Sequence, residues 1–336
     1  MTRGLPILPV LVGLLAACAG GVEPPADLAA PAEPLVWPEP PAKPRIKYLH
    51  GFREPAHLGI GRPFFEQIWA VFAGEKNREM TRPYAIAVDG ERLAIADPGL
   101  PAVHLLDTDS KDYERIVRAG QSILRSPVGV AFGGDRLYVA DSALGRVFVF
   151  DAGGDFVEAI GGLERPTGLA YDQDRDRLYV AETLAHRISV FDDGGARLFT
   201  FGGRGTAGGE FNYPTHLFLR PGRLYVNDTM NFRLQTFDLE GNSISSFGRH
   251  GDGSGNFAQP KGVGVDSQGH IYVADSVFDR VQIFDSEGRF LLAFGGPGNE
   301  VGRFWLPAGL FIAEDRIYVA DSYNRRIQVF QFLGGG

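Results

Sequence analysis

The chain has 336 residues, a single cysteine, and 33 Lys and Arg against 41 Asp and Glu, for a formal charge of −8. One cysteine excludes an internal disulfide framework, and an acidic chain with no basic cluster excludes nucleic acid as the expected partner.

Arg3 is followed by an apolar run from Leu5 to Ala17, too short to remain as a membrane-spanning helix, so residues 1–17 are expected to be an export signal. The run ends in Leu15-Ala16-Ala17-Cys18, which resembles the lipobox of bacterial lipoproteins. That resemblance implies cleavage before Cys18 and acylation of its thiol, the membrane contact being made through lipid. Ala19, rather than Asp, follows the cysteine, which by the same resemblance implies the outer membrane rather than retention in the inner one, with the periplasmic side as the expected location. Residues 18–44, rich in Pro, Ala and Glu from Val22 onward, read as an extended tether without a core of its own. The folded domain is expected over residues 45–333.

Within that domain, Arg45-Ile-Lys-Tyr-Leu-His-Gly51 has the pattern of a strand that recurs much later as Arg289-Phe-Leu-Leu-Ala-Phe-Gly295. An insertion follows, in which Pro63 is placed to start a helix and Gly74 to end it. At 100° per residue Phe64, Phe65, Ile68, Trp69, Val71 and Phe72 fall on one arc, so residues 63–73 predict a short amphipathic helix.

From Arg82 onward a unit repeats. Leu-Tyr-Val-Ala-Asp-Ser at 137–142 returns as LYVAET, LYVNDT, IYVADS and IYVADS, with a degenerate LAIADP before it. The acid of each copy is Asp97, Asp141, Glu182, Asp228, Asp275 and Asp321, an interval of about 40 to 50 residues, which is the signature of a propeller or array. Each unit reads as four short β-branched or aromatic strands separated by turns such as Gly133-Gly134 and Gly153-Gly154. The Pro-x-Gly-Val, Tyr-Val-Ala-Asp-Ser, Arg-Val-x-Val-Phe-Asp and Phe-Gly-Gly segments resemble NHL-repeat β-propellers, and the overall pattern resembles bacterial NHL-repeat lipoproteins. The resemblance implies an all-β, six-bladed propeller. The sixth unit lacks its fourth strand, so the segment Arg45–Gly51 is expected to complete it and close the ring.

The recurring acids suggest a ring of metal ligands. Arg146, Arg187, Arg233, Arg280 and Arg326 each follow their acid by five residues, however, and only the first unit departs, with Ala102. A carboxylate–guanidinium pair repeated in nearly every unit is explained by blade construction, which makes Asp141, Asp228, Asp275 and Asp321 and their arginines structural. The positions expected at the axis are Ala85, Gly129, Gly168, His216, Gly262 and Gly309, of which only His216 carries chemistry. No zinc or calcium ligand set, nucleophile motif or phosphate cradle is found, so neither metal nor cofactor is expected. What remains is the face bearing the inter-blade links and the turns after each acid. Leu144, Leu184, Met230, Phe232, Phe278 and Tyr323 lie in those turns and Trp305 in a link, with His216 nearby, an apolar and aromatic set suited to protein binding. The expected function is non-catalytic binding of another cell-envelope protein. Two alternatives stand beside it: a metal-assisted lactonase, esterase or lyase using His216 and the acids, and a glycan- or peptide-binding module.

Overall fold

The computed structural model describes residues 28–61 and 78–334. Signal, Cys18 and the helix expected at 63–73, with Phe64, Phe65, Ile68, Trp69 and Phe72, lie outside the described residues. Six antiparallel sheets follow one another around an axis, and we number these blades 1 to 6 in chain order: 85–116, 127–160, 166–202, 214–247, 260–295 and 310–332. The chain is a six-bladed β-propeller. In blade 2 the strands are Pro127–Gly133, Arg136–Asp141, Arg146–Phe150 and Phe156–Ile160, each paired with the next.

The second strand of each blade reads as an unbroken apolar run because both its faces are covered by neighbouring blades. Leu137, Tyr138, Val139 and Ala140 are all buried, whereas the outermost strand exposes Phe156 and Val157. The core therefore lies between the sheets. One cluster joins Ala131, Tyr138 and Val147 of blade 2 to Leu169, Leu178 and Phe191 of blade 3.

Blade 6 is completed by the N-terminal strand Ile46–Phe52, which pairs with Arg326–Phe332 from Ile46 opposite Phe332 to Phe52 opposite Ile327. A further strand, Val36–Trp37, pairs outside it, so this blade has five strands. The tether expected over residues 18–44 is thus corrected for its described part. Leu28 is fully buried, its carbonyl accepts from the Tyr48 hydroxyl at 2.8 Å, and Trp37 packs against Phe294 and Phe330. Proline does not prevent this, because a sheet edge tolerates residues without a donor.

Two sequence features set the spacing of the blades. In four blades the Ser or Thr after the acid reaches a proline carbonyl at the start of the next blade: Ser142 donates to the Pro166 carbonyl at 2.6 Å, Thr183 to Pro214 at 2.8 Å and Thr229 to Pro260 at 3.2 Å. Ser322 donates to Pro83 at 2.5 Å and so joins blade 6 to blade 1. The axial glycines mark close backbone approach. A Cβ on Gly129 would lie 1.8 Å from the Thr167 carbonyl oxygen, and one on Gly168 would lie 2.2 Å from that of Thr215.

Candidate functional site

Each recurring acid closes its own blade. The six carboxylates are completely buried. Each accepts a backbone N–H from the link that opens the blade: Thr81 for Asp97, Arg125 for Asp141, Glu164 for Glu182, Asn212 for Asp228, Ala258 for Asp275 and Trp305 for Asp321. Asp141 also accepts from Ala143 and Leu144 in the turn that follows. A single carboxylate therefore fixes both the link and the turn, satisfying N–H groups that would otherwise be buried without partners.

The arginines expected as their partners behave unevenly. Arg187, Arg233 and Arg326 pair with Glu182, Asp228 and Asp321 at 3.0, 2.8 and 2.8 Å. Two expected pairs are corrected. Arg146 is exposed and forms no ion pair with Asp141 among the described residues. Arg280 lies over the Phe278 ring at 4.6 Å, with its Nε and one terminal nitrogen unpartnered among the described residues. Backbone donors already fill Asp141 and Asp275, so neither acid requires a guanidinium. In blade 1, where the arginine is Ala102, His104 approaches Asp97 at 3.6 Å and is held by the Tyr113 hydroxyl. Burial works to raise the pKa of Asp97, but the His104 hydrogen bond and the N–H groups of Thr81 and Arg82 outweigh it and leave the pKa lowered. The same balance lowers that of Glu182, where Arg187, Ser189 and the Glu164 N–H overcome burial.

Sequence reasoning missed a second polar girdle. Seven residues after the acid, in the third strand, stand His104, Ser189, Gln235, Gln282 and Gln328, all buried. Gln235 and Gln328 each donate to their blade's acid, at 3.1 and 3.0 Å, and to a link carbonyl as well. The visible signal was a glutamine recurring at one position of an apolar strand.

Links and turns share one face, as the hydrogen bonds between them require. Leu184 donates its N–H to the Glu164 carbonyl, Met230 to Asn212 and Tyr323 to Trp305. On this loop face Leu184, Met230, Val277, Trp305 and Tyr323 are exposed, and the Trp305 and Tyr323 rings lie 5.5 Å apart. Three residues expected beside them are less available. Leu144, Phe232 and Phe278 are half-buried, Phe232 packing edge-on against His250 at 4.5 Å.

His216 belongs to the axis. Tyr84 of blade 1 stacks against it from the opposite side of the ring at 5.6 Å, and the Lys261 ammonium lies 5.4 Å from the centre of the Tyr84 ring. Blade 4 breaks the repeat twice here, since the Gly and Ala of other blades become His216 and Asn227. The Asn227 amide donates to the Lys261 carbonyl, tying blade 4 to the first strand of blade 5. Burial, and then the charge of Lys261, push the His216 pKa down to about 3.

The protonation state follows from counting hydrogens. Thr229 gives its proton to the Pro260 carbonyl, so Thr215 donates to Thr229 at 2.7 Å, and His216 Nδ1–H donates to Thr215 at 3.2 Å. Nε2 is then a buried lone pair, and it has no partner among the described residues. A neutral buried histidine makes stability pH-dependent with a definite sign. Between pH 6.5 and pH 3 the unfolded chain takes up a proton here that the folded chain refuses, so stability falls as pH falls through that window. Unfolding measured at pH 7 and pH 4.5 is expected to show a loss of roughly 2–3 kcal/mol that His216→Leu lacks. Parallel pH profiles for the two proteins would contradict this.

Among the described residues no three His, Cys, Asp or Glu side chains come together in a metal-binding group. The NHL-repeat family model matches residues 257–284 and 304–330. Blades 5 and 6 therefore carry NHL repeats. The propeller is similar in fold to a streptogramin B lyase, with 11% identity and a TM-score of 0.58 over 75% of this chain and 94% of that one. It is also similar to virginiamycin B lyase from Staphylococcus aureus, with 11% identity and a TM-score of 0.57 over 75% and 96% of the two chains. Hydrazine synthase from Kuenenia stuttgartiensis aligns at 13% identity with a TM-score of 0.55 over 77% of this chain and 98% of that one. At such identities the likeness is one of fold alone. Sequence comparison with curated proteins finds no match.

Proposed function

We propose that this NHL propeller is a non-catalytic binding module of the bacterial cell envelope, tethered through lipid on Cys18 to the periplasmic side of the outer membrane. Its loop face engages another envelope protein. The observation that carries the reading is the set of exposed apolar side chains on that face, Leu184, Met230, Val277, Trp305 and Tyr323. An exposed aromatic and methionine cluster is the composition of an interface core. The six recurring acids are buried and bound to backbone N–H groups, so they serve blade construction.

The test places a photo-crosslinking residue at Tyr323 or, as a control, at Arg223, which begins a strand on the opposite face. Crosslinking in intact cells is expected to give one discrete adduct with a protein from position 323 and none from position 223. Equal labelling from both positions, or none from 323, would count against the reading. Cys18→Ser is expected to move the protein from the membrane fraction to the soluble fraction, and unchanged membrane association would exclude the lipid anchor.

A further inference from the structure

The residues on either side of each blade's strand-opening proline ring the loop-face end of the axis, one step above the axial glycines and His216. The residue before the proline is Arg82 in blade 1 and Arg165 in blade 3, and the residue after it is Lys261 in blade 5. At these two positions no blade carries an acid, in a chain with 41 Asp and Glu. No basic run marks the three cations in the sequence, and the ring alone brings them together.

Tyr84 shows where they converge. Its ring, from blade 1, stacks on His216 of the opposite blade 4 at 5.6 Å, so it lies across the axis. The Lys261 ammonium stands 5.4 Å from the centre of the same ring. Burial raises the pKa of Tyr84, and the charges of Arg165 and then Arg82 oppose the rise. Burial, and then the charge of Arg82, lower that of Lys261. Blades 1, 3 and 5 alternate around the ring and are not neighbours, so side chains that act on one another in this way meet over its centre.

These charges lack a counter-ion. None of the three cations makes an ion pair or a side-chain hydrogen bond among the described residues. Acids on the adjoining links and turns are engaged elsewhere: Glu164 adds its charge to that of Glu182 beside Arg187, and Asp279 accepts the Leu306 N–H at 2.6 Å. Arg82 and Arg165 are exposed and Lys261 is half-buried, so the cluster is open to solvent. Like charges gathered without a counter-ion repel, and a partly buried ammonium loses hydration that no carboxylate replaces. A singly charged anion would leave two of the cations uncompensated. A compact oxyanion with two or three charges balances them and accepts the forked donors of the guanidinium groups.

We propose that the axial mouth of the loop face, where Arg82, Arg165 and Lys261 meet over Tyr84, is a binding site for a small multivalent oxyanion of the phosphate or polycarboxylate kind. The site is read from these cations alone and stands whether or not a protein binds the loop face.

Calorimetric titration of the intact protein at low ionic strength with inorganic phosphate, citrate and acetate tests it. Saturable binding of phosphate or citrate is expected, and the tighter of the two separates phosphate from polycarboxylate recognition. Acetate is expected to bind at least about tenfold more weakly. Arg82→Gln and Arg165→Gln, both at exposed positions, and Lys261→Met are each expected to weaken binding by about fivefold or more, with folding checked by thermal melts. Arg223→Gln, on the opposite face, is expected to leave binding unchanged. No saturable binding of either multivalent anion, acetate binding as tightly as both, or binding that survives the Arg82 and Arg165 substitutions unaltered would overturn the proposal and leave three solvated cations.

Discussion

Gly129→Val is expected to yield little or no folded protein, with any soluble fraction melting far below the wild type. The Cβ alone would stand 1.8 Å from the Thr167 carbonyl oxygen and 3.0 Å from its carbon. That oxygen belongs to the strand-opening segment of blade 3, which is held by Thr183 and by the Glu182 contact to its link, so it has nowhere to retreat. Overpacking a core typically costs about 1–3 kcal/mol, and more where backbone must yield. Here two whole blades must separate, against a total stability of about 5–15 kcal/mol for an ordinary domain. Gly153→Ala is the matched control, because its Cβ would meet nothing closer than Asp151 Oδ1 at 3.5 Å. Thermal melts of the two variants check the claim, and a near-native melt for Gly129→Val would refute close axial packing as the reason for glycine there.

Deleting residues 46–52 is expected to have an effect of the same order by a different route. The deletion removes the strand that pairs with Arg326–Phe332 and exposes the edge of blade 6. It also strips Ile46, Tyr48 and Phe52, each at most 1% exposed, from cores shared with neighbouring blades. Burial of three such side chains contributes on the order of 5–8 kcal/mol. An unpaired edge beside an exposed core then favours association of chains. Light scattering and melting together check this: an unfolded or oligomeric product is expected, and a monomer with an unchanged melting temperature would contradict the ring-closing role.

The N-terminal closure was legible because the missing fourth strand of one repeat and an orphan strand pattern at the other end of the domain match. The repeat likewise gave the blade count. The partner of the recurring acid was not legible. Asp141 and Arg146 stand at a suggestive spacing, yet the carboxylate is used by N–H groups 15 and 16 residues earlier, and backbone donors carry no residue signature. The axial glycines looked chemically silent, when each of Gly129, Gly168, Gly262 and Gly309 marks a contact with the next blade that only three dimensions reveal. Phe232 resembled a surface residue because it follows the acid within a turn. Its φ of 54° instead turns the ring inward against His250, in a conformation that ordinarily favours glycine. His216 was visible as the exception at its repeat position. Asn227, which bonds to the neighbouring blade, was visible only as an Asn in place of Ala.

In the proposed function the loop face is a binding surface while the carboxylates serve the fold. The most direct measurement combines Met230→Glu, Trp305→Glu and Tyr323→Glu in one chain and follows recovery of the partner crosslinked from a neighbouring loop-face position. All three side chains are exposed, at 48, 53 and 47%, so the fold does not depend on their burial. The predicted result is a melting temperature within a few degrees of the wild type together with loss of the crosslinked partner. Full recovery of that partner by the well-folded triple variant would contradict the account.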